Sequence, residues 1–259
     1  MKDERHPSLR AFAAVPPERA GIFTDFDGTL AAIVDVPEEA RPWRGAGPVL
    51  SRLALRYAVV AIVTGRAASD VARRLRAPGL RIAGVHGLEE RFGRRVRPMP
   101  DAAAARTAIE RAARTLEELL RDHEGVTVER KGLGVAVHVR RAPDPEAAER
   151  IVTAIVAGVA KDAGLAAHGG RRVVEIRPML ATDKGTAVAR IAAEHGIEAA
   201  MFCGDDLGDI AAMRAVRAFG VSCVIGVVTA ESPPQLADEA DVLVDGPADV
   251  VRILRSLDS

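Results

Sequence analysis

The segment FTDFDGTL, residues 23–30, decides which fold and chemistry this sequence predicts. The apolar run GIFT, residues 21–24, leads there into two carboxylates, Asp25 and Asp27. Carboxylates that follow a strand lie at one edge of a sheet, where their oxygens can share a divalent cation. An isolated Asp-X-Asp would also suit a solvated turn, but the apolar run before it and the Gly-Thr-Leu after it favour a functional site.

Short apolar runs recur along the chain and alternate with Ala- and Leu-rich segments of helical period. This alternation is typical of a parallel sheet with crossover helices, so the predicted fold class is α/β with a Rossmann-like parallel sheet. The predicted core strands are residues 21–24, 58–63, 81–85, 200–203, 223–227 and 241–244.

The middle of the chain has a different pattern. It reads as a helix, a pair of alternating strands, a second helix and a further strand, over residues 101–123, 126–140, 145–161 and 171–177. Such a block predicts a separate α+β domain of residues 101–177. The expected organisation is therefore a sheet domain of residues 1–100 and 178–259 with this domain inserted.

A second acidic motif, GDDLGDI at residues 204–210, also follows an apolar run. One of its carboxylates suits a helix N-cap. Three in five residues are better explained by a magnesium site, with Asp205 as a ligand and Asp206 and Asp209 orienting its waters.

Two smaller motifs lie between the acidic ones. Thr64 and Arg66 follow an apolar run in IVTGR, where a hydroxyl and backbone amides at a helix N-terminus suit phosphoryl oxygens. Lys184 stands at the start of an amphipathic helix, where its charge opposes the helix dipole and a functional anion would explain it. Taken singly, the first motif also fits an ordinary strand-to-helix turn.

Composition narrows the classes of function. The 36 Lys and Arg balance 36 Asp and Glu, so neither nucleic acid nor an anionic membrane is an expected partner. The two cysteines, Cys203 and Cys223, suit buried free thiols. The first 21 residues mix charges and prolines, and we expect no signal peptide, no membrane span and a cytoplasmic location.

The order DFDGTL, TGR, Lys184 and GDD resembles the four motifs of the haloacid dehalogenase superfamily of phosphatases. Within it, the segments GVHGLE, VERKGLGVAVHVR and RRVVEIRP are similar to the trehalose-6-phosphate phosphatase family, whose inserted α+β domain is a cap that selects the substrate. Two departures stand out: Gly208 and Ile210 replace the usual Thr and Glu, and Arg171 replaces the usual Lys.

The resemblance implies a role for each matching residue. Asp25 would be the nucleophile and form an aspartyl-phosphate, Asp27 the general acid and base, and Thr64 and Lys184 the phosphoryl ligands. Mg²⁺ would be held by Asp25, Asp27 through its backbone carbonyl, and Asp205. The substrate-binding residues would be Arg66, His86, Glu129, Arg140, Arg171 and Glu175. Alternation independently places Arg140 on the polar face of its strand, and Arg171 with Glu175 on theirs.

The implied function is hydrolysis of trehalose 6-phosphate, the last step of trehalose biosynthesis, with a functional link to trehalose-phosphate synthase. Two alternatives stay open. One is another capped phosphatase, acting on sucrose phosphate or mannosyl-phosphoglycerate. The other is a catalytically silent sugar-phosphate sensor, although Asp25, Asp27, Lys184 and Asp205 are all present. Lys131 and His138, taken alone, are predicted to face solvent.

Overall fold

The computed structural model describes residues 6–170, 172–228 and 232–258, and the chain folds as two compact units. The segments up to Arg97 and from Thr182 onward form the first, which we call the core unit. Residues Pro98–Ala181 form the second, which we call the inserted unit.

Each unit is built on one β-sheet. The strands, numbered in chain order, are β1 Ala20–Thr24, β2 Val59–Val63, β3 Arg81–Gly84, β4 Glu89–Phe92, β5 Arg95–Pro98, β6 Thr127–Arg130, β7 Val135–His138, β8 Leu165–Gly170, β9 Val173–Pro178, β10 Ala199–Gly204, β11 Val221–Val227 and β12 Val242–Val244. The helices are α1 Pro7–Ala13, α2 Ala46–Leu53, α3 Ala68–Leu75, α4 Pro100–Ala104, α5 Arg106–Leu119, α6 Pro145–Ala163, α7 Lys184–His195, α8 Ile210–Arg217, α9 Pro234–Glu239 and α10 Pro247–Ser256.

The sheet of the core unit has the order β12-β11-β10-β1-β2-β3-β4-β5. It is parallel from β12 to β3, and β4 joins antiparallel. The chain builds outward from β1 in one direction through β2 and β3, and later in the other through β10 and β11. The boundary between β1 and β10 is therefore a topological switch point, where the strands' carboxyl ends leave a crevice for ligands.

Apolar packing covers both faces of this sheet. One face packs against α1, α2, α3 and α10, with Phe12, Leu50 and Leu254 fully buried. The other packs against α7, α8 and α9, with Ile191 and Met213 fully buried. Burial on both faces explains why the strands are continuous apolar runs rather than alternating ones. Among the described residues, none of the helices combines the length and apolar character needed to cross a bilayer.

The sheet of the inserted unit is antiparallel, with the order β6-β7-β9-β8. Helices α5 and α6 pack on one face through residues such as Leu116 and Val156, which meet Val137 and Ile176 of the strands. The other face carries polar side chains, which gives these strands their alternating pattern.

The predicted α/β class with a parallel sheet is confirmed, and each of the six predicted core strands is present with small changes at its ends. The strand predicted over residues 81–85 ends at Gly84, because Val85 adopts a left-handed φ of 49° that no strand continues. Strands β4, β5 and β8 were missed. Strand β8 is LAAHGG, whose small residues have low strand propensity, and it forms through pairing with β9. The helical stripe of residues 101–123 is divided into α4 and α5, which ends at Leu119.

Both cysteines are buried free thiols, as the sequence predicts. Cys203 lies in β10 and Cys223 in β11, inside the apolar layer of the core unit. Burial raises the pKa of the Cys203 thiol well above its ordinary value. Burial, with a smaller effect of Asp241, raises the pKa of Cys223 to about 12. Because the thiolate is the reactive form, neither thiol is expected to react in the folded protein.

We predict that a disulfide reagent such as dithiobisnitrobenzoate labels neither Cys203 nor Cys223 in the native protein at neutral pH. In denaturant, both should react stoichiometrically within minutes. The absorbance of the released thiol, followed with and without guanidinium chloride, checks this. Rapid labelling of the native protein would contradict the buried placement of β10 and β11.

Candidate active site

Two carboxylates lie side by side at the switch point of the core sheet. Asp25 directly follows β1 and Asp205 directly follows β10, the neighbouring strand. The Asp25 amide donates to the carbonyl of Cys203 at 2.8 Å, which extends the strand pairing to the site itself. Both carboxylates are buried, with residue exposures of 5% and 2%. The two acidic motifs, 180 residues apart in the chain, therefore form one site.

Lys184, the first residue of α7, enters this site and is itself buried. Its Nζ lies 3.0 Å from Oδ2 of Asp25 and 2.7 Å from Oδ1 of Asp209. The unfavourable position of a cation at a helix N-terminus is offset by two carboxylates. From the sequence, a functional anion was expected to explain the position of this lysine. In the structure, the carboxylates of Asp25 and Asp209 are its anionic partners.

Burial and neighbouring charges shift the pKa values of this group. For Lys184, burial alone would lower the pKa, but Asp209 and Asp25 raise it well above its ordinary value. Burial raises the pKa of Asp25, Lys184 opposes that effect, and Asp209 and Asp205 add to it. Such an excess of acidic groups in a buried position favours a further positive charge.

Asp209 holds the loop after β10 in place. Its Oδ1 accepts from Lys184, while its Oδ2 accepts from the amides of Asp205 at 2.9 Å and Asp206 at 3.1 Å. Asp206 caps the following turn by accepting from the amide of Gly208. Thr29 donates its hydroxyl to Oδ1 of Asp205 at 3.3 Å. The loop geometry is thus maintained without the Thr and Glu that Gly208 and Ile210 replace.

The site fits a divalent cation. Carboxylate oxygens of Asp25, Asp205 and Asp209 lie within 4.8 Å of one another, and all three residues are buried. Oδ1 of Asp25 is buried and accepts no hydrogen bond from any residue that the structure describes. A buried carboxylate oxygen without a donor is costly, and hard oxygen ligands of this kind are those that Mg²⁺ prefers.

Thr64 and His86 lie at the same edge, after β2 and β3. Thr64 is buried and accepts from the Arg66 amide at 3.1 Å. The amide of His86 donates to the carbonyl of Thr64 at 2.9 Å, and the amide of Val85 donates to the carbonyl of Arg66 at 2.9 Å. Val85 and His86 both have left-handed backbones, with φ values of 49° and 56°. A β-branched residue in this region is strained, and such strain is kept where surrounding contacts require it. The Val85–His86 turn thus braces the Thr64 loop.

Asp27 is held by Arg66. Arg66 donates from Nε to Oδ2 of Asp27 at 2.6 Å and from Nη2 to Oδ1 at 2.8 Å. Its Nη1 donates to Asp70 at 3.2 Å. Burial alone would lower the pKa of Arg66, but Asp27 and, to a smaller extent, Asp70 raise it above its ordinary value.

The inserted unit carries a second group of polar residues, on the face of its sheet opposite α5 and α6. Glu129 pairs in register with Ala136, and Ala136 with Glu175, so both carboxylates lie on one face. Lys131 donates to Oε1 of Glu175 at 2.6 Å, and Nε2 of His138 lies 2.9 Å from Oε2 of Glu129. Both carboxylates are therefore held by fixed partners on this face.

Two predicted sugar contacts remain, Arg140 and Arg171, and Arg177, which was not predicted, lies on the same face. Arg140 is half-buried, two residues beyond the end of β7. Arg177 continues the polar face of β9, with Nε 3.9 Å from Oε2 of Glu175. Arg171 lies outside the described residues.

The structure unites most of the residues predicted from the core motifs. Asp25, Asp205, Asp209 and Lys184 form one cluster, and Thr64 and Asp27 lie on the same edge. Within the inserted unit, Glu129 and Glu175 share a face. Sequence reasoning gave too little weight to Lys131, whose side chain is only 10% exposed. The signal available was its position two residues from Glu129 in a segment of alternating pattern, which places both on one face.

The core sheet with its switch-point carboxylate pair, together with the inserted α+β unit, defines the fold class. The fold is that of a haloacid dehalogenase-like hydrolase from Bacteroides thetaiotaomicron, with a TM-score of 0.63 at 13% identity over 92% of this chain and 99% of that one. It is also that of the C-terminal domain of the C. albicans trehalose-6-phosphate phosphatase, with a TM-score of 0.80 at 19% identity over 98% and 96% of the two chains.

The sequence comparisons narrow this class to one family. A family model described as trehalose-phosphatase matches residues 23–247. A trehalose-phosphate phosphatase of Mycobacterium avium (strain 104) is 38% identical over 234 residues, which cover 88% of this chain and 59% of the relative. The chain belongs to the trehalose-phosphatase family, and it spans somewhat more than half the length of this curated relative.

Gly28 provides a test of the site geometry. Its φ is +76°, and a Cβ added there would overlap the carboxylate of Asp205. We predict that Gly28→Ala lowers the melting temperature more than Gly93→Ala. Gly93 is the matched control, because its φ is +64° but an added Cβ meets no described atom within 4 Å. Both variants pay roughly 1–2 kcal/mol for a left-handed residue with a side chain, and only Gly28→Ala also displaces Asp205.

Thermal unfolding followed by circular dichroism measures the difference. Equal melting temperatures for the two variants would contradict the close approach of the Asp27–Gly28 backbone to Asp205.

Proposed function

We propose that this protein hydrolyses trehalose 6-phosphate to trehalose and phosphate. The observation that carries the proposal is the buried group of Asp25, Lys184, Asp205 and Asp209, in which one oxygen of Asp25 is left without a donor among the described residues. Such a group suits the attack of a carboxylate on a phosphoryl centre. Membership of the trehalose-phosphatase family supports the choice of substrate.

The reaction is proposed to proceed in two displacements. An oxygen of Asp25 attacks phosphorus in line, and the bond from phosphorus to the sugar oxygen breaks as Asp27 gives that oxygen a proton. A water molecule then attacks the aspartyl-phosphate, its proton passes to Asp27, and the bond between Asp25 and phosphorus breaks. The two steps return both aspartates to their initial states.

The phosphoryl oxygens are proposed to contact Lys184 and Thr64. Lys184 is already charged and desolvated beside Asp25, so its charge acts at full strength where negative charge spreads in the transition state. Thr64 offers a buried hydroxyl and the backbone amides of a loop that the Val85–His86 turn keeps rigid. The His86 ring lies against Gly65 in this loop: a Cβ added to Gly65 would come 2.8 Å from Nε2 of His86. We place His86 among the substrate-binding residues on this ground.

A cation at the site is proposed to be Mg²⁺, held by Asp25, Asp205 and the backbone carbonyl of Asp27, with Asp206 and Asp209 supporting the bound waters and the loop. When bound, it would offset the charge that accumulates between the nucleophile and the phosphoryl group.

The sugar is proposed to bind to the polar face of the inserted unit, through Glu129, Arg140, Arg171 and Glu175. The fixed pairs Lys131–Glu175 and His138–Glu129 support this role, because they orient carboxylates on the face of the sheet opposite α5 and α6. On this proposal the inserted unit, Pro98–Ala181, acts as the substrate-selecting cap and the core unit performs the chemistry.

Neither alternative is favoured. A silent sensor would not need the Asp25, Asp27, Lys184 and Asp205 set, which is intact and assembled. A phosphatase for another phosphosugar finds no support in the family match. A functional link to trehalose-phosphate synthase remains part of the proposal.

The first test compares wild type with Asp25→Asn on a panel of trehalose 6-phosphate, sucrose 6-phosphate, glucose 6-phosphate and an aryl phosphate. Phosphate release should favour trehalose 6-phosphate, should fall below detection in Asp25→Asn, and should stop on chelation and return with Mg²⁺. Asp25→Asn should fold, because it removes one charge from a site that holds an excess of acidic groups.

Preferred turnover of another phosphosugar would overturn the substrate assignment alone. A folded wild-type protein that releases no phosphate from any ester in the presence of Mg²⁺ would overturn the enzymatic function.

The second test concerns the inserted unit. Glu175→Gln should reduce kcat/KM for trehalose 6-phosphate at least roughly tenfold, because the sugar loses a charge-assisted hydrogen bond. The value of kcat/KM for the aryl phosphate should stay within about twofold of wild type. Glu117→Gln is the matched control. Glu117 lies on α5, forms an exposed ion pair with Arg130, and is not on the polar face.

The control should behave as wild type on both esters. Equal losses on both esters in Glu175→Gln would show that Glu175 does not contact the sugar.

A further inference from the structure

Asp27 is proposed to move protons, and proton transfer has strict geometric limits. A general acid or base acts when its oxygen is about 2.6–3.2 Å from the atom that gains or loses the proton. The side chain of Asp27 is 37% exposed, so little packing fixes its rotamer. Something other than packing must hold the carboxylate in place.

The Arg66 guanidinium meets both oxygens of Asp27, through Nε and Nη2 at 2.6 and 2.8 Å. A two-pronged contact of this kind fixes the plane and the rotation of a carboxylate, which a single point charge does not. The Arg66 side chain is only 8% exposed, and its guanidinium carbon lies 5.6 Å from the centre of the Phe26 ring. The more rigid partner therefore sets the position of the more mobile one.

Arg66 is in turn fixed from behind. Asp70 accepts from Nη1 of Arg66 at 3.2 Å and from Nε of Arg74 at 2.7 Å. Arg74 donates onward to the carbonyl of Ala40 at 2.6 Å. These contacts form a continuous chain from Asp27 to the loop before α2, with each charged side chain satisfied by the next.

The backbone of Arg66 is anchored as well. Its amide donates to Oγ1 of Thr64 and its carbonyl accepts from the amide of Val85. The amide of Ala68, the first residue of α3, donates to Oε1 of the buried Glu89 at 2.7 Å. The Glu89 side chain thus caps the start of this helix from another part of the chain. Backbone and side chain are both held, so Arg66 is a preorganised support rather than a free cation.

We infer that Arg66 is a positioning residue that holds Asp27 in the orientation needed for proton transfer to and from the substrate, and that it is not itself a ligand of the substrate. The inference rests on the proposed function, because it concerns the proton-transfer step of that reaction. It replaces the sequence-based expectation that Arg66 binds substrate.

The test compares phosphate esters whose leaving groups differ in how strongly their release depends on protonation. The release of 4-nitrophenol, phenol and benzyl alcohol from their phosphate monoesters, in this order, depends increasingly on protonation of the ester oxygen. The rate of alcohol release is measured with enzyme in excess over ester and Mg²⁺ present, so that only the first displacement is observed. Arg66→Lys keeps the charge but loses the two-pronged contact.

Arg73→Lys is the matched control. Arg73 lies on α3 and contacts the same Asp70 as Arg66 does, but its side chain is 74% exposed and the structure gives it no contact with Asp27. It should retain the leaving-group dependence of wild type.

In Arg66→Lys, benzyl alcohol release should fall roughly 100-fold, the lower range of a general acid's contribution, while 4-nitrophenol release stays within about threefold of wild type. Phenol release should lie between them. Asp70→Asn, which removes a charged partner of Arg66 without touching Asp27, should show the same graded pattern more weakly and serves as the second variant if Arg66→Lys does not fold.

Two results would overturn the inference alone. One is an equal loss for all three esters in both variants, which indicates a structural role. The other is a higher enzyme concentration needed for the half-maximal rate with an unchanged maximal rate, which indicates a substrate ligand. A wild-type protein that releases no alcohol from any of the esters would overturn the proposed function, and the inference with it.

Discussion

The core unit depends on the burial of Lys184 between Asp25 and Asp209. The three residues come from the end of β1, the start of α7 and the turn after β10. An ammonium group removed from water is strongly unfavourable unless carboxylates surround it, and removing one partner of a buried pair costs roughly 3–5 kcal/mol. Contact between these three segments is therefore favoured over their separation. The lysine fixes the relative position of the elements that supply the other polar groups of the site.

The sheet topology makes this arrangement possible. Strands β1 and β10 are neighbours although about two thirds of the chain separates them, and their carboxyl ends place Asp25 beside Asp205. Asp209 then joins the lysine to the backbone of the loop, since one of its oxygens faces Nζ and the other faces two amides. The acidic excess that remains explains why the site favours a cation, and the strained Val85–His86 turn fixes the loop opposite.

The two units keep charged groups in place by different physical means. In the core unit, carboxylates and a lysine are buried, and each charge is stabilised by its opposite in a low dielectric. In the inserted unit, helices cover one face of the sheet, and the polar face is ordered by the pairs Lys131–Glu175 and His138–Glu129. Arg66 combines both means, because it is itself buried but holds the partly exposed Asp27.

The sequence by itself determined the α/β class, the six core strands and the residues Asp25, Asp205 and Lys184 as candidates, because apolar periodicity and strand-end carboxylates are local signals. It also indicated an inserted α+β segment, since the hydrophobic period changes there. Only the tertiary structure decided which charges meet: Lys184 with Asp209, Arg66 with Asp27 and Lys131 with Glu175 are 25, 39 and 44 residues apart. Strand β8 was equally invisible, because its small residues form a strand only when β9 supplies the hydrogen bonds. Pairing across such distances depends on which elements pack together, and no local pattern of residues records that.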